Sequence, residues 1–342
     1  MVLPWRKQKT SEDFFGLDIG SDFVKLTRIG GTSSSYEVKN FIIAPVPKGA
    51  IIKDEIKDYP ALVAVLKKML AETAITTKNV AIAIPRSLAL IKNITVDARL
   101  NEREIESRAW IEANRYFPDL VGEIYLDFIK MGLSPDDPSH LELVLVACRK
   151  EHVKPYLEIL NQVGLVPKIV DINCYALERV IPLLTSEPSS QAIGLLNLDL
   201  GLSSFIVVQN NQMLYAHDHN FDAHQLVVQV QEFWKVNNTQ AFAEDPAYIA
   251  LLKANLTSHI RHTLHFFYSS RPTINIHQLI LAGDCATIPD LADFIKQESN
   301  IETIIADPFR DMKLADTVAT ETLKTNAPAF TLSCGLALSA LK

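Results

Sequence analysis

Two periods of apolar residues take turns along this chain. One is alternation, the mark of half-buried strands; the other is i, i+3, i+4 recurrence, the mark of amphipathic helices. The run FFGLDIGSDFVKLTRIG at 14–30 predicts a strand, a turn at Gly20, Ser21 and Asp22, and a second strand. Asp18 falls across the pleat from Leu17 and Ile19, and Lys25 enters on the second strand. Ile56, Leu62, Val65, Leu66, Met69 and Leu70 predict a helix over 53–72. VAIAIP, within 79–85, predicts a short apolar strand. A helix is predicted over 101–116, with Asn101 as its N-cap and Glu104 closing a capping box. Strands at 125–131 and 142–148 flank the turn-rich GLSPDDPSH, and a helix over 151–163 ends at Gly164.

GLLNLDLGLSSFIVVQ at 194–209 repeats the opening pattern. Leu196, Leu198 and Leu200 alternate with Asn197 and Asp199, residues 201–204 read as a turn, and a strand resumes at Phe205. Helices follow at 225–236 and 246–269; in the second, Leu252, Leu256, Ile260, Leu264 and Phe267 trace one face. The motif x-D-x-G thus occurs twice, at Asp18/Gly20 and Asp199/Gly201. Asp and Gly are ordinary turn residues, so one copy says little. Two copies, each set between β-rich strands, predict a duplicated, two-lobed architecture. Polar TSEPSSQ at 185–191 reads as the linker between the halves. GGTSSS at 30–35 reads as a hairpin loop and not a phosphate loop, because a strand follows it. Strands and helices alternate through both halves, which makes this an α/β protein with mixed sheets.

The 342 residues, 48% of them hydrophobic, suffice for a substantial core and for two lobes. A net charge of −7 argues against a nucleic-acid binder. Cys148, Cys174, Cys285 and Cys334 form no C-x-x-C pair and read as buried thiols in a reducing compartment. No apolar run approaches the roughly 18 residues of a membrane helix. The N-terminal MVLPWRKQKT lacks the apolar core of a signal peptide; its Trp5 and three cations fit either a solvated terminus or a weak contact with an anionic membrane surface. His217 and His219 share a strand face, and His259, His262 and His265 follow at three-residue intervals on a helix. Helical zinc sites favour i, i+4 spacing, so polar or half-buried histidine is the plainer reading. The aromatics of FFYSSRP at 266–272 read as core.

The hairpin turns carry the candidate chemistry. Backbone N–H groups at such turns suit phosphate oxygens. A carboxylate beside them can hold the hydration shell of Mg²⁺, and a lysine can supply a point charge to a β- or γ-phosphate. Asp18, Gly20, Ser21, Lys25, Asp199, Gly201 and Ser203 therefore form a candidate phosphate clamp, with no Walker motif in the chain.

These segments resemble the actin, sugar-kinase and heat-shock-chaperone superfold. GLDIGSDFVKL resembles its first phosphate hairpin, NLDLGLSSFIVV its second, and LILAGDCATIPDLADFI its adenosine segment; DINCYALERV and AFTLSCGLALSAL resemble its two connecting helices, and all five occur in order. Within that superfold the chain resembles the PilM family, the actin-like proteins of type IV pilus assembly, over nearly its whole length. ESRAWIEANRYFPDLVGEIYLDF, LVACRKEHVKPYLEILNQVGLVPKIVDINCYAL and HIRHTLHFFYSS carry this resemblance. It implies a two-lobed actin-like (ribonuclease H-like) ATPase fold with an inserted subdomain in lobe one. The implied layout is a tail at 1–13, lobe one at 14–190 with a peptide-binding insert at about 85–154, lobe two at 191–329, and a C-terminal helix at 330–342 returning to lobe one. It implies a cytoplasmic protein, peripheral to the inner membrane, that binds the cytoplasmic N-terminal tail of the membrane protein PilN and connects to the pilus platform and motor. It further implies ATP at the clamp, Mg²⁺ held through water by Asp18 and Asp199, and Gly283 against the adenosine.

The departures gather at that site. His217 stands where the family usually has Arg, Asp222-Ala223 where it has a Gly-Gly pair, and Gly283-Asp284 where a second Gly-Gly is frequent. A Cβ obstructs the close backbone approach that glycine allows, and Asp222 near phosphate adds like-charge repulsion. The reading therefore favours a nucleotide-binding or degenerate scaffold over an efficient ATPase. Asp171 is the candidate for positioning a hydrolytic water, with helix capping as the plain alternative. Arg115 and Tyr116 either close a turn or line the PilN groove. The alternatives are an active ATPase driving assembly, a small-molecule kinase of the same superfold, and a relative of the cell-division protein FtsA. The last usually brings a C-terminal amphipathic membrane helix, whereas this sequence stops at Lys342 behind the connecting helix.

Overall fold

The computed structural model describes residues 13–341 apart from 53–54, 74, 119–120, 186–189 and 221–245. The N-terminal MVLPWRKQKT, Asp222-Ala223, the helix expected at 225–236 and most of the 185–191 linker lie outside those residues.

β1 (Phe15–Ile19), β2 (Phe23–Thr32) and β3 (Ser35–Pro45) form an antiparallel meander. Gly31, at φ +94°, makes the β2–β3 turn possible, because a Cβ there would strike the carbonyl of Ser35. The small hairpin of β4 (Ile51–Ile52) and β5 (Glu55–Ile56) then leads to α1 (Tyr59–Ala71). This helix begins later than the apolar spacing predicts. Asp58 caps it by accepting from the Ala61 N–H at 3.0 Å, Pro60 occupies its first turn, and residues 55–56 are used as strand instead.

After β6 (Asn79–Ile84) the chain leaves the main sheet. β7 (Ala89–Asp97), α2 (Glu102–Tyr116), β8 (Ile124–Leu133) and β9 (His140–Arg149) build a separate antiparallel sheet, ordered β7-β9-β8 and backed by α2. The capping box of α2 is complete: Asn101 Oδ1 accepts from the Arg103 and Glu104 N–H groups, and Glu104 accepts from the Asn101 N–H. α3 (Lys150–Gln162) ends at Gly164, φ +76°, with the Leu165 N–H closing on the Leu160 carbonyl. β10 (Val166–Ile172) returns to the main sheet, and α4 (Asn173–Leu184) carries the chain onward.

The second half runs β11 (Ala192–Leu198), β12 (Leu202–Gln209), β13 (Gln212–Asn220), α5 (Pro246–Ser270), β14 (Ile276–Ala282), α6 (Leu291–Ser299) and β15 (Glu302–Ile305). β12 starts at Leu202, three residues before the strand read from sequence, so the turn is tighter than expected. On α5, Leu256, Ile260, Leu264 and Phe267 are buried as one face. β16 (Lys313–Leu314), α7 (Thr320–Asn326) and α8 (Thr331–Ala337) bring the chain back to the first half.

The duplication shows in topology. The first main sheet is ordered β10-β6-β1-β2-β3-β16 and the second β15-β14-β11-β12-β13. Each has an antiparallel meander on one side and two parallel strands on the other, entered in the same sequence. Every residue of α8 is buried. It reaches β1 because Gly16 has no side chain: a Cβ there would meet the Ser333 carbonyl and the Ala337 nitrogen. Likewise α8 crosses α4 at Gly335, where a Cβ would strike the carbonyl of Ala176. All four cysteines are free and buried, and burial pushes the Cys148 thiol up to about 12. Among the described residues no helix is long and apolar enough to cross a membrane.

Candidate functional site

The hairpins β1–β2 and β11–β12 face each other. A Cβ on Gly201 would collide with Ser21 Oγ and lie 3.8 Å from Asp22 Oδ2, so the two turns are in contact. Ser21 donates its hydroxyl to Asp22 at 2.6 Å.

Lys25 sits between them. It is 2% exposed, and pairing across the strands sets it opposite Asp18. Its ammonium lies 2.8 Å from Asp199 Oδ1, 2.9 Å from Asp284 Oδ1 and 3.7 Å from Asp18 Oδ2. Asn197 Nδ2 donates to the other oxygen of Asp199 at 2.5 Å. Asp18 Oδ2 and Asp284 Oδ1 are buried without a directed hydrogen bond among the described residues, so the ammonium charge is their compensation. Burial pushes the Asp18 carboxyl up from 3.8 to about 7, against the lowering effect of Lys25. Burial also holds Asp284 well above the usual carboxylate range. Burial opposes the charge of Lys25, but Asp199, Asp284 and Asp18 outweigh it and hold its pKa well above 10.5.

The other candidates contribute no side chain to this cluster. Ser203 is fully buried and its hydroxyl meets His259 Nε2 at 2.6 Å, turning toward α5. Gly283 is needed by the backbone: at φ +85° its N–H donates to the Pro328 carbonyl at 2.8 Å, and a Cβ would come within 2.6 Å of the Leu198 main chain. Gly20 closes its turn through its N–H to the Phe23 carbonyl at 3.0 Å. Asp171 is 1% exposed and its carboxylate is bound by the Arg179 guanidinium, which also donates to the Gly335 carbonyl at 2.9 Å. Asp171 thus braces the crossing of α4 and α8, and the N-cap position of α4 belongs to Ile172.

Two contributors were hidden in the sequence. Asp284 registered there only as a missing glycine, yet it holds Lys25. Asp218, between two histidines on β13, faces the other side of that strand. It accepts from Asn173 Nδ2 at 3.1 Å and from the Ser87 N–H at 3.1 Å, joining lobe two to the root of the inserted sheet. Alternation along β13 was the available signal.

The histidines form their own group on lobe two. His217 and His219 stack with centroids 4.3 Å apart, and His259 and His262 approach His219 edge-on at 6.0 and 6.4 Å. Burial, then its neighbours, lowers His219 to about 4, and burial lowers His259 to about 4. Among the described residues no group of three or more His, Cys, Asp or Glu is arranged to hold a metal ion.

The fold implies a nucleotide with Mg²⁺ between the hairpins, and the residues there do not fit one as arranged. The turns touch, and the carboxyl groups of Asp18, Asp199 and Asp284 already occupy the space around the Lys25 ammonium, so phosphate would have to displace them to reach it.

The structure of a PilM–PilN type IV pilus biogenesis complex matches this chain with a TM-score of 0.80 and 20% identity, covering 97% of this chain and 100% of that one. The ethanolamine utilization protein EutJ from Carboxydothermus hydrogenoformans matches with a TM-score of 0.51 and 10% identity, covering 96% and 90%. The fold is the mixed α/β actin-like ATPase fold, two-lobed, with an inserted subdomain in lobe one. A sequence model of the family described as type IV pilus assembly protein PilM matches residues 16–341, and the chain belongs to that family.

Proposed function

We propose that this protein is a cytoplasmic assembly factor of a type IV pilus or a related secretion-like machine. It works by holding the cytoplasmic N-terminal tail of a PilN-type membrane protein, which keeps it peripheral to the inner membrane and links it to platform and motor proteins. The tail lies between the main subdomain of lobe one and the insert at about 85–154. The observation that carries this reading is where apolar surface is left open. Of the seven large hydrophobic side chains exposed among the described residues, four (Ile111, Tyr116, Met131 and Leu133) belong to the inserted sheet and its helix, the part without a counterpart in lobe two. Exposed apolar side chains concentrated on one element, beyond what its own packing uses, fit a docking surface. Tyr116 is steadied by Lys92, whose ammonium sits 5.2 Å from the ring centroid. The likeness to the solved PilM–PilN complex supplies the occupant.

Nucleotide is secondary in this reading. ATP with Mg²⁺ is a structural or regulatory ligand at most, because the ion cluster at Lys25 must open before phosphate enters. The test is calorimetric titration of the purified protein with a synthetic peptide of the PilN-type tail, repeated with Asp18→Ala. Saturable binding that survives Asp18→Ala is expected. A folded protein that ignores the peptide would sink the proposal.

A further inference from the structure

The charges around Lys25 come from both lobes. Lys25 and Asp18 sit on β2 and β1 of lobe one; Asp199 and Asp284 sit just past the ends of β11 and β14 in lobe two. Strand pairing places Asp18 directly opposite Lys25, yet the ammonium lies closer to both lobe-two carboxylates, at 2.8 and 2.9 Å against 3.7 Å. The side chain reaches across the cleft. Asp284 is held for the purpose: the backbone at Gly283 is fixed against Leu198 and Pro328, and the Asp284 N–H points at Asp199 Oδ1 at 3.4 Å. Full burial of a lysine is rare without such partners, because the unpaired ion would be strongly disfavoured.

We infer that Lys25 is a resident cation that latches the two lobes together, with Asp284 as its keeper, so that the cleft is closed by the protein's own charges and admits nucleotide only when the latch is broken. The proposal concerns the cleft alone and does not depend on the partner peptide. It assigns a role to the residue at 284, where a glycine would leave Lys25 with two carboxylates and a space large enough for a side chain.

The test is ATP·Mg²⁺ binding by equilibrium dialysis, on the wild type, Asp284→Gly and Asp284→Asn. The wild type is expected to show no saturable binding at millimolar nucleotide, and Asp284→Gly to bind at least roughly tenfold more tightly. Micromolar binding by the wild type, abolished by Asp18→Ala, would overturn the latch. A folded Asp284→Gly that still takes no nucleotide would overturn the keeper role. Where Asp284→Gly does not fold, inter-lobe distance decides. Labels at Glu72→Cys and Glu298→Cys, both exposed positions, report on the lobes while the four native thiols stay buried. Lys25→Met should lengthen and broaden that distance. An unchanged distribution would refute the latch.

Discussion

The two hairpins that face each other look alike in sequence and differ in register. In lobe one the turn closes between the Gly20 N–H and the Phe23 carbonyl, which leaves Asp18 inside the strand with Lys25 opposite. In lobe two the turn closes between the Asp199 N–H and the Leu202 carbonyl, which leaves Asp199 at the turn itself. The same x-D-x-G string therefore puts its carboxylate two residues from the turn in one lobe and at the turn in the other. Lobe one carries a carboxylate with its own cation; lobe two carries carboxylates without one. A duplicated frame has become an asymmetric site in which one lysine serves both halves.

The largest test of that asymmetry removes the shared cation. Lys25→Met keeps the bulk of the side chain and removes the one cation that Asp199 and the two buried carboxyl groups of Asp18 and Asp284 share. Breaking a buried pair in this way costs about 3–5 kcal/mol. Urea denaturation at pH 7 should show a midpoint lowered accordingly. A variant as stable as the wild type would mean that water or a solute ion satisfies these groups and that Lys25 is not what joins the lobes.

A second test uses pH, because the cleft and the histidine group respond with opposite sign. Asp18 is raised in the folded state to about 7, so folding retains a proton that the unfolded chain has released. Its contribution is complete below about pH 4, the unfolded value, and is lost as pH rises through about 7. His219 and His259 are lowered from 6.5 to about 4, so their contribution is present above pH 6.5 and is lost as pH falls toward 4. Because the two windows overlap between about pH 4 and 6.5, Asp18→Asn should make the rise of stability with pH across that range steeper. His219→Gln should do the reverse. A change of slope of the same sign in both variants would show that the two groups are coupled and would remove the distinction drawn between them.

Much of the fold was legible because it rests on local chemistry. Asn101 and Glu104 announce their helix, and both capping bonds form; Gly164 ends α3 at the positive φ its position requires. Repetition was legible too, since two strand–turn–strand patterns became two sheets of one order. The start of α1 departs from the apolar spacing because that spacing runs through residues that pair as strand, and the cap at Asp58 decides instead. The turn of lobe two is tighter than its sequence suggests because Gly201, Leu202 and Ser203 satisfy turn and strand patterns equally. The cluster itself was only half visible. Asp18 and Lys25 are seven residues apart, but the partner of Lys25 at Asp284 lies in the other lobe, and no local rule connects them. For Asp171 the sequence offers water positioning or helix capping, and neither anticipates the Arg179 guanidinium that engages its carboxylate at the helix crossing.

A smaller effect belongs to Ser203. Its hydroxyl ties the start of β12 to His259 on α5, on the side of the hairpin away from the cleft. Ser203→Ala should lower stability by about 1 kcal/mol, the usual worth of one such hydrogen bond, measured by thermal unfolding. The same variant should leave the inter-lobe distance unchanged. A shift in that distance would mean that the lobe-two turn is positioned from α5 and not by Lys25.

The smallest effect on stability is expected where the lobes differ most in content. Between β6 and β10 lobe one carries a whole antiparallel sheet with α2, whereas between β14 and β15 lobe two has a short 3₁₀ turn and α6. The inserted sheet packs through Ala109, Ala113, Ile124, Leu145 and Ala147, and none of the exposed apolar residues belongs to that core. Ile111 is 55% exposed on α2 and Met131 is 57% exposed on β8. Ile111→Glu and Met131→Glu should each change stability by less than about 0.5 kcal/mol, as exposed substitutions do. A surface kept apolar for a partner should nonetheless lose it: each variant should bind the PilN-type tail peptide roughly tenfold more weakly, about 1.4 kcal/mol. Wild-type affinity in both would move the peptide off the exposed apolar residues of the insert. The insert would then be a difference between the lobes that partner binding does not explain.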